Sequence, residues 1–183
     1  MALQNLIESV NAGFNAFCKR LSDLSREQEE TAREEIKTIL KYMNTPIYAQ
    51  QLSADGSCLT REKIKVIEND QSWEAHVVEG IWVTRQGDEY YLFYSGNDYS
   101  TDQYGIGVAI AKAPLGPYVK VKEPLLSSTA SWWAPGNPAV VTSPDGHPQM
   151  FLHAYYPEQA GYKRFRALLS VPVNFLKTSV TLG

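Results

Sequence analysis

Residues 90–99 read Tyr-Tyr-Leu-Phe-Tyr-Ser-Gly-Asn-Asp-Tyr, and residues 104–109 read Tyr-Gly-Ile-Gly-Val-Ala. Aromatic and β-branched residues favour strands, whereas the Ser-Gly-Asn-Asp run between the two stretches favours a turn. The two stretches therefore predict strands that are joined by a loop.

The same alternation of strand-like runs and turns continues on both sides of this region. Turn-forming residues occur at 53–56, 86–88, 115–117 and 144–147. The predicted strands are 47–52, 77–84, 89–95, 104–112, 139–142, 149–154 and 166–173. Short strands separated by regular turns are typical of a sandwich, a barrel or a propeller, and their spacing does not distinguish among these folds.

The first 44 residues have a different pattern and contain no proline. Apolar residues recur in steps of four and three at Leu3, Ile7, Val10, Phe14, Phe17, Leu21 and Leu24, which predicts one apolar stripe along a helix. A second stripe follows the charged run 26–30, and Pro46 ends it. The sequence thus predicts a helical segment at 1–45 and a β domain at 46–183. The helices form either a hairpin packed on the domain or a coiled coil that associates copies of the chain through residues 3–43.

Composition excludes several classes of protein. The net charge of −3 gives no electrostatic basis for binding nucleic acid or an anionic membrane. No apolar run approaches the roughly 20 residues that a membrane-spanning helix needs. Cys18 and Cys58 are too few for a disulfide scaffold and too far apart for a metal-binding pair. Because no signal peptide is visible, we expect a cytoplasmic protein by default, with export not excluded.

Six motifs between residues 77 and 155 together resemble one known family. They are Val-Val-Glu-Gly at 77–80, the two stretches quoted first, Gly-Pro-Tyr at 116–118, Trp-Trp-Ala-Pro-Gly-Asn-Pro at 132–138 and His-Ala-Tyr at 153–155. In this order they resemble the C-terminal part of the catalytic domain of glycoside hydrolase family 43, a five-bladed β-propeller. The resemblance implies about two and a half to three blades in residues 46–183. It also implies a hydrolase that acts on arabinose- or xylose-containing glycans.

Glu79 is the candidate catalytic residue. Its motif is similar to the family stretch whose glutamate is the general acid, although Ile81 stands where the family usually has proline. A glutamate that follows two valines is expected to be partly desolvated, and desolvation favours the protonated form that a general acid needs. Glu74 is the nearest competitor, and we expect a structural or surface role for it.

The resemblance also implies several residues that contact substrate. Tyr99 lies in a loop with Asn97, Asp98 and Tyr104 that matches a segment near the substrate pocket. Trp132 and Trp133 either stack on sugars or pack in the fold, and Asn137 stands where the family usually has Gly-Pro-Gly-His. Arg164 and Arg166 resemble a basic pair of which one faces the pocket, and we select Arg166. His153 matches a central position where a histidine helps to hold calcium through water, although one histidine cannot hold a metal by itself.

Two catalytic aspartates of the family have no counterpart in this sequence. Inversion needs a second carboxylate about 6.5–9.5 Å from the acid, and the family carries that base and a further aspartate upstream of residue 47. The helical segment occupies that region here, and its aspartate, Asp23, lacks the family motif. The chain thus resembles a truncated catalytic domain. The alternative to an active glycosidase is an inactive carbohydrate-binding or structural module that is oligomerised by its N-terminal helices.

Overall fold

The computed structural model of the chain describes residues 44–161, 164–176 and 179–183. These residues form ten β-strands and one short 3-10 helix at Ser72–Glu74, so this part of the protein is mainly β. The predicted helical segment lies outside the described residues, apart from residues 44 and 45, which are not helical. Among the described residues, no helix is long and apolar enough to cross a membrane.

The strands form three antiparallel sheets. The first sheet pairs β1 (Ile47–Leu52) with β2 (Leu59–Ile67). The middle sheet contains β3 (Val78–Gln86), β4 (Glu89–Gly96), β5 (Gly105–Ala111) and β6 (Val119–Lys120) in chain order. The last sheet contains β7 (Trp133–Thr142), β8 (Pro148–Tyr155), β9 (Ala167–Leu176) and β10 (Ser179–Leu182), again in chain order. Each strand therefore pairs with its neighbours in sequence, as in a meander.

Strand β4 lies in the interior and contributes to two apolar clusters. Tyr91 and Phe93 pack with Met150 and Leu152 of the last sheet. Leu92 and Tyr94, which point to the opposite face because side chains alternate along a strand, belong to the cluster that holds Ile67 of the first sheet. The middle sheet is consequently covered on both faces. Each large apolar side chain that is fully buried in this way stabilises the fold by about 1.5–3 kcal/mol.

Most predicted strands agree with the structure, but β2, β6 and β10 were not predicted and β7 begins earlier than predicted. The first strand has the predicted bounds, whereas β2 was not predicted, because its sequence Leu-Thr-Arg-Glu-Lys-Ile-Lys-Val-Ile is highly charged and most of its side chains are exposed. Strand β7 begins at Trp133, six residues before the predicted start. Its first six residues contain two prolines and a glycine, and the register shifts at two places between Trp133 and Ala139. An irregular strand of this kind resembles a turn in sequence.

Candidate functional site

Glu79 lies at the second position of β3, where the strand leaves the apolar cluster. Its neighbour Val78 is 3% exposed, whereas Glu79 itself is exposed. Glu79 as a whole residue is thus more exposed than its sequence neighbours suggest. The Tyr104 hydroxyl donates a hydrogen bond of 2.7 Å to Oε1 of Glu79. The carboxylate is consequently open to solvent and oriented by a phenol.

Tyr104 is itself held firmly in place. It is 2% exposed and packs with Ala134 and Tyr155 in a small cluster. A Cβ atom added to Gly136 would lie 1.9 Å from Cε1 of Tyr104, so only glycine leaves room for the ring. Burial raises the pKa of Tyr104 well above its ordinary value of 10.0, and the hydrogen bond to Glu79 adds to this rise, whereas Ser95 and Arg166 act against it. Tyr104 is thus a neutral hydrogen-bond donor across the ordinary pH range.

Arg166 lies behind Tyr104 and donates hydrogen bonds to the backbone of three separate segments of the chain. Its Nη2 atom donates to the carbonyl oxygens of Ala134 at 2.7 Å and His153 at 3.1 Å, and Nη1 donates to the carbonyl of Tyr99 at 3.4 Å. The guanidinium carbon also lies 5.4 Å from the ring centroid of Tyr104. Arg166 therefore places a positive charge behind the phenol that holds Glu79, while Arg164 is exposed.

Asn137 approaches the site from the irregular part of β7. Its φ is 53°, which is the left-handed region that asparagine tolerates better than most residues. The backbone nitrogen of Asn137 donates a hydrogen bond of 2.8 Å to Oγ of the buried Ser95. The Asn137 Oδ1 atom lies 3.0 Å from the position that a Cβ on Gly80 would take, so Asn137 sits directly beside the residue that follows Glu79.

The two tryptophans occupy different surroundings. Trp133 pairs with Tyr155 across β7 and β8 and packs against the cluster that contains Tyr104. Trp132 lies outside that cluster, with its ring centroid 5.1 Å from that of Tyr156. Tyr99 is 39% exposed, and its ring centroid lies 6.0 Å from the Arg166 guanidinium carbon. Of the predicted sugar-contacting rings, Tyr99 therefore contacts Arg166, and Trp133 packs against the cluster of Tyr104, Ala134 and Tyr155. Trp132 contacts Tyr156 instead.

His153 contributes its carbonyl to Arg166, and its ring is half-buried. Burial lowers the pKa of His153 below its ordinary value of 6.5, and the charge of Arg166 adds to the effect. Its Nδ1 atom is buried and has no hydrogen-bond partner among the described residues. Calcium prefers six to eight oxygen ligands, and the described residues contain no cluster of three His, Cys, Asp or Glu side chains. A role of His153 in holding calcium through water therefore stays a prediction.

Glu74 has a structural position. It is fully buried, and its Oε1 atom accepts hydrogen bonds from Lys120 at 2.7 Å and from the Tyr94 hydroxyl at 2.6 Å. Its Oε2 atom accepts from the backbone nitrogens of Asp70 at 2.9 Å and Gln71 at 3.0 Å. Because Glu74 is buried and both of its carboxylate oxygens already accept hydrogen bonds, it is not available to a substrate.

Chemically, the site offers the carboxylate of the exposed Glu79, the neutral Tyr104 hydroxyl that donates to it, and the Arg166 guanidinium on the other side of Tyr104. Such a carboxylate can exchange a proton with a bound molecule. Sequence reasoning selected Glu79 and Arg166, which both contact Tyr104. It also selected Tyr99, which contacts Arg166, and Asn137, which lies beside Gly80. It missed Ser95 and Tyr155, because both are interior strand residues whose types carry no functional signal.

Comparison with known proteins matches residues 34–177 to the family described as glycosyl hydrolases family 43. A probable arabinan endo-1,5-alpha-L-arabinosidase A from Aspergillus flavus is 28% identical over 134 residues, which cover 63% of this chain and 41% of that protein. The chain spans about half the length, or less, of the relatives it matches.

Solved structures give the same result. A thermostable family-43 glycoside hydrolase matches with a TM-score of 0.71 and 30% identity, over 76% of this chain and 47% of that one. An endo-1,4-beta-xylanase from Bacteroides thetaiotaomicron matches with a TM-score of 0.67 and 28% identity, over 75% of this chain and 50% of that one.

Proposed function

We propose, from the premise that this chain belongs to glycosyl hydrolase family 43, that it cleaves O-glycosidic bonds in arabinose- or xylose-containing glycans with Glu79 as general acid. The observation that carries the proposal is the exposed Glu79 carboxylate held at 2.7 Å by the buried Tyr104 hydroxyl. The names of its relatives, which include an arabinanase and a xylanase, support this class of substrate.

In the proposed reaction, Glu79 donates its proton to the oxygen that leaves as the glycosidic C–O bond breaks. A water molecule attacks the anomeric carbon from the opposite face, and a second carboxylate takes the proton of that water. Tyr104 keeps the Glu79 carboxylate in one orientation during this exchange. The second carboxylate would lie about 6.5–9.5 Å from Glu79 in an inverting enzyme, and we assign this role to no residue of the chain.

The same proposal extends to the architecture. We interpret the middle and last sheets as two blades of a five-bladed propeller and the first sheet as half a blade. Support comes from the meander order of the strands and from the packing of the middle sheet against both of the others. Inner strands β3 and β7 would then face the centre of the ring, which is where β3 presents Glu79.

The test is turnover of aryl α-L-arabinofuranosides and aryl β-xylosides at high protein concentration. We expect Glu79→Gln to lower kcat at least a hundredfold, because the amide cannot donate the proton, and general acid catalysis contributes about 10²–10⁴ in rate. Glu62→Gln is the matched control, since Glu62 is an exposed glutamate on β2. Equal rates for the Glu79→Gln and Glu62→Gln variants would contradict the role of Glu79.

A second candidate function is carbohydrate binding without cleavage, with copies of the chain associated through residues 3–43. This function needs no second carboxylate, and we assign that role to no residue of the chain. This function predicts sugar binding that survives Glu79→Gln in a protein with no turnover. It also predicts that removal of residues 1–44 lowers the number of chains in each assembly, measured by light scattering. An unchanged oligomeric state would contradict association through that segment.

A further inference from the structure

Three aromatic side chains lie next to one another on the surface beside the site. The ring centroids of Trp132 and Tyr156 are 5.1 Å apart, and those of Tyr156 and Phe165 are 6.5 Å apart. The ring planes differ by 33° in the first pair and by 19° in the second. We call these three residues the aromatic row.

Two members of the aromatic row are strongly exposed, and the third, Trp132, is half-buried. Tyr156 is 45% exposed and Phe165 is 71% exposed. The three apolar clusters of the described residues are built without them. Packing of the described fold therefore does not explain why aromatic residues occupy these positions, and contiguous exposed apolar surface of this kind often marks a binding site.

Each member of the row lies within two residues along the chain of Arg166 or of a group that contacts it, so the row is near Arg166. Tyr156 follows Tyr155, whose ring centroid is 4.5 Å from the Arg166 guanidinium carbon. Phe165 directly precedes Arg166, and Trp132 precedes Ala134, whose carbonyl accepts from Arg166 at 2.7 Å. Arg166 in turn contacts Tyr104, which donates to Glu79.

We infer that the aromatic row binds sugar units of a pentose polysaccharide that lie beyond the bond to be cleaved. Aromatic faces carry partial negative charge, so they attract the C–H groups on the face of a sugar ring. The ring centroids follow one another at 5.1 and 6.5 Å, so the row presents several adjacent aromatic faces rather than one. The ligand is therefore a chain of sugars. This inference rests on the proposed function, because it assigns a polymer to the same site.

The experiment measures binding of linear arabinan and of xylan by affinity electrophoresis, on a Glu79→Gln background so that no polymer is cut. Phe165→Ala and Tyr156→Ala should each weaken binding of one polymer about tenfold, which is the loss expected for one aromatic contact. Phe151→Ala is the matched control, because Phe151 is a 40% exposed phenylalanine on β8 outside the row. In proteins that keep Glu79, turnover of aryl glycosides should be the same for Phe165→Ala and Phe151→Ala, since these substrates are too short to reach the row.

The possible results separate this inference from the proposed function. Weaker polymer binding by Phe165→Ala in a protein without turnover would support the row and count against catalysis. Turnover that depends on Glu79, together with polymer binding that is equal for Phe165→Ala and Phe151→Ala, would overturn the row alone. Absence of binding to either polymer would overturn it as well. So would dissociation of an oligomer by Phe165→Ala without a change in polymer affinity, which would make the row a contact between copies of the chain.

Discussion

The Glu79 carboxylate is oriented by a phenol that has little freedom of its own. Tyr104 is 2% exposed, its ring fills the space left by Gly136, and the Arg166 guanidinium lies 5.4 Å from its ring centroid. Because burial raises the pKa of Tyr104, the hydroxyl keeps its proton and remains a donor. Tyr104 is therefore a positioning residue for the proposed acid.

Removing this hydroxyl while keeping the ring should separate positioning from packing. We expect Tyr104→Phe to lower kcat for aryl glycosides about tenfold with little change in KM, because a hydrogen bond to a charged group contributes about 1.5–3 kcal/mol. Tyr91→Phe is the control, since Tyr91 is equally buried and donates to Glu89 at 3.0 Å, away from the site. Identical kcat values in the two variants would rule out the positioning role.

At this scale the sequence predicted residue types better than their surroundings. The motif around Glu79 selected it, but the strand position that suggested burial leaves the side chain exposed. The selection of Arg166 over Arg164 had no physical basis in the sequence, because the carbonyl groups of Ala134 and His153 that Arg166 contacts are remote from it in the chain. The catalytic role of Glu79 and the binding roles of the other selected residues remain predictions.

Among the elements, the two-residue strand β6 has a role that its length does not suggest. Lys120 of β6 is 6% exposed at its side chain and bonds the fully buried Glu74 at 2.7 Å and Asp70 at 2.8 Å. It also donates to the carbonyl oxygen of Glu68. The pair therefore ties the edge of the middle sheet to the segment that follows β2.

Breaking this pair should be costly, because it leaves the buried Glu74 carboxylate without its counter-charge. We expect Lys120→Met to lower the free energy of unfolding by about 3–5 kcal/mol, measured by urea denaturation. Methionine keeps much of the apolar stem, so the loss reports mainly on the charge. Lys112→Met breaks a pair with Glu89 in which the lysine side chain is 77% exposed, and it should cost less than about 1 kcal/mol. Comparable losses in the two variants would refute the difference attributed to burial.

Prediction of the elements succeeded where hydrophobic periodicity was regular. Strand β1 has the predicted bounds, and β4 extends one residue beyond its prediction. Strand β2 was missed because its pairing with β1 is set by partners such as Ile47 and Ile67, while the residues between carry charge toward solvent. The start of β7 was missed because the positive φ angles of Ala134 and Asn137 depend on contacts with other strands.

Across the whole described part of the molecule, stability depends on contact between sheets rather than within any one of them. An isolated two-stranded sheet is at best marginally stable in water, and the two four-stranded sheets bury apolar side chains against each other. Phe93 is 0% exposed and lies in the cluster that joins the middle sheet to Met150 and Leu152 of the last sheet. Its ring centroid is 6.2 Å from that of Phe175 on β9.

Truncation of Phe93 should therefore weaken the whole described domain, not one strand. We expect Phe93→Ala to lower the free energy of unfolding by about 3–5 kcal/mol, because it removes a buried ring and leaves a cavity between two sheets. Phe151→Ala makes the same chemical change at a 40% exposed position on the outer face of β8, and it should cost about 0.5 kcal/mol or less. Tryptophan fluorescence and circular dichroism should give coincident transitions if the sheets unfold together. A Phe93→Ala protein as stable as the Phe151→Ala protein, or a fluorescence transition separate from the circular dichroism transition, would show that the sheets do not depend on this contact.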